Sequence, residues 1–236
     1  MEPADLTGRS IVVAGATGAV GGALARELTA RGAVVGVLGR NRGRLDAIAD
    51  ELGGVPSAVF DAHDVASCHG AVDALAAALG GLDGLLVATG AVAFGSARET
   101  PDHIVHELLT VNALGPIALL RAAAAHLEDG GRLAVVSAMV ADYPTAGMAA
   151  YSASKAALSA YLTALRRELR RARVTVLDAR LPHLDTGFET RALAGTPPKL
   201  PDGRSVVEVA ELLVDAFAAG RTDVAWDLKA RELVVS

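Results

Sequence analysis

A tyrosine and a lysine stand four residues apart in the segment Tyr151-Ser152-Ala153-Ser154-Lys155. Residues i and i+4 of a helix lie on one face, so the phenol and the ammonium are predicted to project together. A nearby positive charge favours the phenolate and lowers the phenol pKa. A phenol tuned in this way can pass a proton to or from a carbonyl oxygen during hydride transfer. Spacing alone does not decide this role, because Tyr and Lys often share a helix face.

A second chemical signal is a glycine-rich turn near the start of the chain. Gly15, Gly18 and Gly21 lie between an apolar run, Ser10–Ala14, and a predicted helix, Gly18–Arg31. Such a turn lets the backbone approach a pyrophosphate, whose charge the free N–H groups and the helix dipole then stabilise. Because the turn falls in the first strand–helix unit, where doubly wound folds bind dinucleotides, it predicts a dinucleotide site.

The residues after the second predicted strand, Val34–Leu38, indicate which dinucleotide is bound. An acidic residue at this position usually binds a free ribose 2′-hydroxyl, but here the chain reads Gly39-Arg40-Asn41-Arg42. Arg40, with Arg42 and Arg44 nearby, offers guanidinium groups suited to a 2′-phosphate. A merely solvated basic helix start is the weaker explanation, because arginines there oppose the helix dipole. We therefore expect NADP(H), with NAD(H) as the alternative.

The elements that must position these residues alternate β-rich runs with Ala-rich helical stretches. Further strands are predicted at 58–60, 85–88, 133–137, 174–177 and 224–226, and further helices at 42–52, 65–79, 102–112, 114–127, 149–172 and 206–219. The helices 102–112 and 114–127 are expected to be separated near Gly115-Pro116. This alternation predicts an α/β fold, a Rossmann-type doubly wound parallel sheet with helices on both faces in three α/β/α layers. No linker interrupts the chain, so residues 1–236 are expected to form a single dinucleotide-binding and catalytic domain.

Composition excludes several other classes of protein. Aromatic residues make up only 3% of the chain and the net charge is −5, so a nucleic-acid partner is not expected. The single cysteine, Cys68, excludes an internal disulfide and fits a reducing compartment. The polar N-terminus is unlike a signal peptide, and no apolar run is expected to span a bilayer, so we predict a cytoplasmic protein without a membrane partner. His103 and His106 have no nearby Cys, and no metal site is expected.

Taken in order, these and further motifs resemble those of the short-chain dehydrogenases/reductases (SDRs) of the single-domain Tyr-x-x-x-Lys type, over nearly the whole chain. The motifs are the glycine turn, Gly39-Arg40, Asp61 in Phe60-Asp61-Ala62-His63-Asp64, Thr89-Gly90, Asn112 in Val111-Asn112-Ala113, Ser137, Tyr151-x-x-x-Lys155 and Arg180-Leu181-Pro182-His183-Leu184-Asp185-Thr186. The resemblance implies an NAD(P)-dependent oxidoreductase that acts on the CH–OH or C=O group of a small molecule.

The resemblance also implies a role for each matching residue. Tyr151 would be the general acid in reduction and the base in oxidation, and Lys155 would lower its pKa and bind the nicotinamide ribose. Asn112 would hold a water in the proton path to Lys155, and Asp61 would contact the adenine amine. The implied cofactor-binding set is Gly15, Thr17, Gly18, Ala19, Val20, Gly21, Arg40, Asp61, Ala62, Thr89, Gly90, Tyr151, Lys155, Pro182 and Thr186.

The sequence departs from the family pattern at three points. The middle glycine of the turn is more often one residue later, where Ala19 stands, and the Asn-Asn-Ala-Gly motif reads Val87-Ala88-Thr89-Gly90. Counting back from Tyr151 puts Ala138 where the family usually has its catalytic serine. Ser137, the immediate neighbour, is retained as a candidate catalytic residue.

The substrate side is the least defined part of the prediction. Ala138, Tyr143 and His183 are the candidate substrate contacts, and Tyr143 could supply a replacement hydroxyl. His183 stands where relatives commonly have a glycine, and a loop histidine facing water is the plainer interpretation. A moderately apolar ketone is the expected substrate class.

Two other functions remain open. One is an SDR-fold enzyme without net redox chemistry, such as an epimerase, dehydratase or cyclase. The other is a sensor of the nucleotide ratio, which would need neither Tyr151 nor Lys155. A homo-oligomer is expected, and a dimer through the long exposed helices is favoured.

Overall fold

The computed structural model describes residues 5–236. Within that part of the chain, eight strands form one sheet in the order β3-β2-β1-β4-β5-β6-β7-β8. The strands are β1 Ser10–Ala14, β2 Val34–Gly39, β3 Ser57–Val59, β4 Gly84–Val87, β5 Arg132–Ala138, β6 Thr175–Leu181, β7 Asp223–Asp227 and β8 Glu232–Val235. Every neighbouring pair from β3 to β7 is parallel, and β8 runs antiparallel to β7.

Helices cover both faces of the sheet, as the sequence predicted. They are α1 Ala19–Ala30, α2 Arg42–Glu51, α3 Val65–Leu79, α4 Asp102–Leu109, α5 Gly115–Ala124, α6 Ala149–Leu169 and α7 Val206–Ala218. One core cluster packs α1, α2 and α7 on one face, and a second packs α3, α5 and α6 on the other. In β1, Ile11 and Val13 face the first cluster while Val12 and Ala14 face the second. Strands that are apolar on both sides follow from this three-layer arrangement.

The order of the sheet defines where a ligand can bind. From β1 the chain moves outward through β2 to β3, and it then crosses back to place β4 on the other side of β1. The loops after β1 and β4 therefore diverge and leave a crevice at the carboxyl ends of these strands. Both the glycine turn and Thr89-Gly90 stand at this crevice.

The helical segment between β4 and β5 corrects two predictions. A break was expected near Gly115-Pro116, but a π-helical turn, Thr110–Leu114, runs directly into α5. The Gly115 N–H donates to the Thr110 carbonyl, so the change of hydrogen-bond register accommodates Pro116, which has no N–H to donate. The joined stretch Asp102–Ala124 is long and apolar enough to cross a membrane, whereas no such run was expected. Half of this stretch is buried in the fold. Core helices can have the same length and composition, so the stretch is weak evidence for a membrane span.

The C-terminal hairpin was also absent from the prediction. β7 was expected, but β8 was not, because Glu232–Val235 is an edge strand with alternating exposure. Its tight connection depends on Asp227, whose Oδ1 accepts hydrogen bonds from the Lys229 and Ala230 N–H groups. Arg231 completes the turn with a φ of 55°, an uncommon conformation for a residue other than glycine.

Candidate active site

Tyr151 and Lys155 lie in the first turns of α6 and face into the protein. Their exposed fractions are 7% and 3%. The Lys155 Nζ atom stands 6.0 Å from the centroid of the Tyr151 ring and donates a hydrogen bond to the Val136 carbonyl at 3.4 Å. The two groups therefore share the helix face that their spacing predicted.

Burial controls the ionisation of this pair. It raises the pKa of the Tyr151 phenol well above its usual range. It also lowers the pKa of the Lys155 ammonium to about 8, against an opposing attraction from Asp178. The lower phenol pKa expected from the lysine charge is not found in this structure, because the desolvation of the buried Tyr151 sets the direction of the shift.

Asn112 lies in the π-helical turn and is completely buried. Its Oδ1 accepts a hydrogen bond from the Ala91 N–H at 2.8 Å, and its Nδ2 donates to the Ala91 carbonyl and to Ser154 Oγ, both at 2.9 Å. Ser154 Oγ in turn donates to the Tyr151 carbonyl at 2.7 Å. Asn112 therefore ties the segment after β4 to the helical turn that carries Tyr151, and single π turns recur at functional sites.

The glycine turn has a geometry that only glycine satisfies. Gly15 has a φ of +87°, and a Cβ atom there would stand 2.8 Å from the Ala88 carbonyl oxygen. A Cβ at Gly21 would collide with the Gly15 carbonyl. Gly18 precedes α1, and no side chain in the described part of the protein caps the helix. Its first N–H groups are thus accessible to an anion, as the sequence predicted.

Thr89 and Gly90 form a floor between the glycine turn and the Tyr–Lys pair. Thr89 Oγ1 is buried without a hydrogen-bond partner in residues 5–236. A Cβ at Gly90 would lie 3.5 Å from both Lys155 Nζ and Asn112 Oδ1, so Gly90 borders the Tyr151–Lys155 pair. A buried hydroxyl without a partner calls for an explanation. A dinucleotide laid across this floor supplies one, so the residues present fit such a cofactor.

The arginines after β2 have different surroundings. Arg44 Nη2 donates to the Thr17 carbonyl at 2.7 Å and so braces the glycine turn, while Arg42 pairs with Asp46 at 3.5 Å. Arg40 is exposed and forms no ion pair with any residue from 5 to 236. Of the three arginines, Arg40 is therefore the one whose guanidinium is available to a ligand.

Asp61, the expected adenine contact, is exposed and held by His63. His63 Nδ1 lies 2.9 Å from Asp61 Oδ1, and His63 Nε2 lies 2.6 Å from Glu107 Oε2 on α4. Hydrogen bonds from His63 lower the pKa of Asp61, and the Arg40 charge adds to this effect. The contacts with Glu107 and then Asp61 raise the pKa of His63. The neighbouring Ala62 packs closely against Gly115 at the start of α5.

Three irregular segments, 92–95, 147–148 and 193–195, cover Tyr151. Main-chain hydrogen bonds join them: Phe94 N–H to Ala194 O at 2.9 Å, Leu193 N–H to Val92 O at 2.8 Å, and Gly95 N–H to Gly147 O at 2.8 Å. We call this set the cover ladder. Tyr151 is buried with the apolar side chains Val92, Phe94, Ile104, Leu108 and Val140, and Ala138, Met148 and Phe188 pack against them.

Ser137 and Ala138 point to opposite sides of β5. The Ser137 hydroxyl lies 3.4 Å from the Ser159 hydroxyl, beneath α6. Ala138 packs in the apolar cluster that contains Tyr151. The strand runs regularly through Ala138, so the side chains of Ser137 and Ala138 keep their alternating directions. The structure therefore gives Ser137 a contact within α6 and places an alanine on the substrate side.

The remaining predicted contacts lie around the rim. Tyr143 is 43% exposed in the loop after β5. Pro182 and His183 follow β6 and are half-buried, and the His183 carbonyl accepts a hydrogen bond from the Arg204 N–H at 3.0 Å. Thr186 Oγ1 accepts a hydrogen bond from the Phe188 N–H at 3.2 Å.

Sequence reasoning missed two residues of the site. Ser154, which links Asn112 to Tyr151, looked like an ordinary small helical residue, although its position three residues after Tyr151 could have indicated it. Phe188 lies over the floor, 3.6 Å from where a Gly90 Cβ would be. No motif marks Phe188, because its position depends on an irregular loop.

Comparison with known proteins agrees with this geometry. The profile of the short chain dehydrogenase family matches residues 9–195. The chain belongs to this family. Among its relatives is an uncharacterized oxidoreductase of Methylorubrum extorquens, 31% identical over 81% of this chain and 79% of the relative.

Two solved structures show how closely the SDR fold is matched. A dehydrogenase/reductase from Sinorhizobium meliloti 1021 superposes with a TM-score of 0.80 at 28% identity, over 89% of this chain and 88% of that one. A short chain dehydrogenase from Burkholderia cenocepacia J2315, solved in complex with NADP, gives 0.79 at 29% identity, over 88% and 89%. This chain is accordingly an SDR oxidoreductase, and the family and fold predicted from its motifs are confirmed.

Proposed function

We propose that this protein is an NADP(H)-dependent oxidoreductase that transfers a hydride between the nicotinamide and a carbonyl or secondary alcohol of a small, moderately apolar molecule. The observation that carries the proposal is the buried Tyr151–Lys155 pair on one face of α6, bordered by Gly90 at the carboxyl edge of the sheet. When bound, the nicotinamide supplies or accepts the hydride.

Tyr151 is the proton donor and acceptor in this proposal. Its raised pKa keeps the phenol protonated at neutral pH, as a donor to a carbonyl oxygen must be. In the oxidative direction the phenol must lose its proton, and the Lys155 ammonium reduces the cost of the resulting charge. Asn112 fixes the turn that carries Tyr151 and is proposed to hold a water on the proton path to Lys155.

Arg40 supports the preference for NADP(H). It is exposed after β2, near enough to Asp61 to influence its pKa, and free of carboxylate partners in the described chain. A 2′-phosphate at this position would gain a charge-assisted hydrogen bond that a 2′-hydroxyl cannot provide. The substrate class follows from the apolar residues around Tyr151, with Tyr143 and His183 as proposed polar contacts at the rim.

Calorimetric titration with NADPH and NADH tests the cofactor assignment. We expect NADPH to bind more tightly, and Arg40→Ala to weaken NADPH by roughly 10-fold or more while changing NADH little. Arg42→Ala is the matched control, because it removes an exposed arginine that already pairs with Asp46. If neither nucleotide bound at millimolar concentration, the proposed function would be wrong.

A carbonyl screen monitored by NADPH absorbance tests the reaction itself. Net loss of NADPH with product formation supports hydride transfer. Conversion of a substrate with the nucleotide recovered unchanged would instead indicate epimerase, dehydratase or cyclase chemistry. The cytoplasmic location and the dimer stay predictions.

A further inference from the structure

A row of polar side chains runs along the inner face of α6, beyond the two residues used so far. Tyr151, Lys155 and Ser159 are spaced four residues apart and so share this face. Ser159 Oγ lies 3.4 Å from Ser137 Oγ on β5, and Lys155 Nζ lies 3.4 Å from the Val136 carbonyl. The row therefore continues from the catalytic pair into the layer between α6 and the sheet.

A buried carboxylate, Asp178, stands at the end of this row. It belongs to β6, where Ala179 pairs with Val136 and Arg180 pairs with Ser137. Its side chain points to the α6 face, as does that of Val176 two residues earlier in the same strand. Asp178 is only 2% exposed. The family resemblance assigned no role to this residue.

Asp178 is held mainly by Arg180, and the Ser159 hydroxyl lies close to it. Its Oδ2 accepts a hydrogen bond from Arg180 Nη1 at 2.9 Å, and the nearby Ser159 hydroxyl and the Arg180 charge lower its pKa. Burial acts in the opposite direction and is the larger effect. Oδ1 is buried and has no hydrogen-bond partner among residues 5–236. A buried oxygen without a partner is costly, so its retention calls for a functional explanation.

The Lys155 ammonium has the complementary problem. It is 3% exposed, and its hydrogen bond in the described structure goes to a neutral carbonyl. A buried cation without a counter-charge tends to lose its proton. The titratable groups near it are Tyr151 on its own helix and Asp178 on β6, with Arg180 and Asp223 behind Asp178. Asn112, from the π-helical turn, is neutral.

We propose that Asp178 is a positioning residue that acts through Lys155. The Asp178 carboxylate, fixed by Arg180, supplies the counter-charge that keeps the buried Lys155 ammonium protonated and directed along the face it shares with Tyr151. The role in catalysis rests on the proposed function, but the coupling between Asp178 and Lys155 is a property of the chain alone.

Arg180 extends this coupling to the substrate side. Its Nε donates to Asp142 Oδ2 at 2.7 Å, in the loop between β5 and α6, and its Nη1 also contacts Asp223 Oδ1 on β7 at 3.0 Å. One guanidinium thus holds both the counter-charge of Lys155 and the loop that follows Ala138.

NMR titration of lysine side chains tests the coupling directly. The chain has only three lysines, Lys155, Lys199 and Lys229, so ¹³C-lysine labelling gives few signals, and Lys155→Met identifies the relevant one. We expect Lys155 in the parent protein to titrate near 8, and Asp178→Asn to lower that midpoint by about one pH unit or more. Asp223→Asn is the matched control, because it also removes a carboxylate from Arg180 but does not act on Lys155.

An unchanged Lys155 midpoint in folded Asp178→Asn overturns the proposal, as does an equal shift in Asp223→Asn. If Asp178→Asn does not fold, the reciprocal measurement uses Lys155→Met. Loss of the ammonium must raise the Asp178 pKa, which carboxyl ¹³C NMR measures. An unchanged Asp178 pKa there overturns the proposal. The titration needs no dinucleotide, so its failure is distinct from a failure of NADPH binding, which would contradict the proposed function.

The pH profile of reduction then tests the link to catalysis. Lys155 loses its charge as pH rises through its pKa, so activity that depends on the ammonium falls on the basic side. Asp178→Asn should move this basic limb to lower pH, by the same interval as the NMR midpoint. A reduced rate without a moved limb would mean that Asp178 has only a structural role.

Discussion

The glycine turn after β1 and the substrate side around Ala138 lie at the same edge of one sheet, but they are built differently. At the turn, main-chain atoms approach one another so closely that a Cβ at Gly15 or Gly21 would meet a carbonyl group. On the substrate side, the wall consists of side chains on irregular segments, such as Phe94 and Phe188. We therefore expect the pyrophosphate of the nucleotide to be bound mainly by the backbone, and the substrate mainly by side chains.

The two regions therefore leave different signals in the sequence. A backbone that needs glycine reveals itself, because few other residues are compatible with it. A wall of apolar side chains has no such requirement, since many residues of similar volume can line it. Substitutions in each of the two regions test this contrast.

Tyr151→Phe tests proton transfer by itself, because it changes neither the glycine turn nor the substrate side. Removing the hydroxyl should lower the turnover number roughly 10²–10⁴-fold, because the carbonyl oxygen loses its proton donor. NADPH affinity should change little, since the ring still fills the same space. Steady-state kinetics and calorimetry on the same preparation measure both quantities. Turnover at the parent rate would show that Tyr151 is not the proton donor.

Gly21→Ala tests the backbone character of the nucleotide site. The added Cβ would collide with the Gly15 carbonyl, so we expect at least about 10-fold weaker NADPH binding and a loss of about 1–3 kcal/mol in unfolding free energy. Gly70→Ala in α3 is the control, because a Cβ there meets nothing within 4 Å and should raise stability by up to about 1 kcal/mol. Equal NADPH affinity and equal unfolding free energy in the two variants would show that close packing at Gly21 does not control the nucleotide site.

Ala138→Ser tests the side-chain character of the substrate wall. The new hydroxyl would face the cluster around Tyr151 and could donate to the carbonyl oxygen, so we expect turnover of small ketones to rise about 10-fold. Ser137→Ala should change turnover less than about 3-fold, because the Ser137 hydroxyl contacts Ser159. Loss of this contact should reduce the unfolding free energy by only about 1 kcal/mol. A large loss of turnover in Ser137→Ala would show that Ser137 reaches the substrate after all.

His63→Gln has the smallest expected effect, at the junction of the two regions. His63 contacts Asp61 on the nucleotide side and Glu107 on α4, and these carboxylates raise its pKa. Its contribution to stability is therefore present in full below the unfolded pKa of about 6.5 and is lost as pH rises through the higher folded value. We expect a loss below about 1 kcal/mol at pH 5.5, because the pair is half-exposed, and almost none at pH 9. Chemical denaturation at both pH values measures this, and a larger loss at pH 9 would contradict it.

The sequence predicted best those elements whose ends are fixed locally. The predicted helix 65–79 is found unchanged because the Asp64 side chain accepts hydrogen bonds from the Ala66 and Ser67 N–H groups and Gly80 ends it with a φ of 73°. The break expected at Gly115-Pro116 was wrong, since a change of hydrogen-bond register accommodates the proline. β8 was missed because an edge strand has weak apolar periodicity.

The site followed the same division. The neighbours of Tyr151, Lys155 and the glycines could be inferred from helix periodicity and from a local turn. The surroundings of Ser137 could not, because the direction of a strand side chain depends on register with β6 and on the position of α6. The position of Asp178 could not be predicted for the same reason, because only the pairing of β5 with β6 brings it to the end of the row on α6.

The cover ladder has a consequence for how this protein can change over time. Its bonds join N–H and C=O groups of segments 92–95, 147–148 and 193–195, so outside the glycines they do not depend on which side chains those segments carry. Gly95, Gly147 and Gly195 are the fixed positions, because their φ angles are positive and a Cβ at Gly195 would collide with the Phe94 carbonyl. Mutation can therefore exchange the other side chains along the cover while its main-chain connections persist. A lineage that needs a new substrate can alter the lining one residue at a time, without rebuilding the cover ladder above Tyr151.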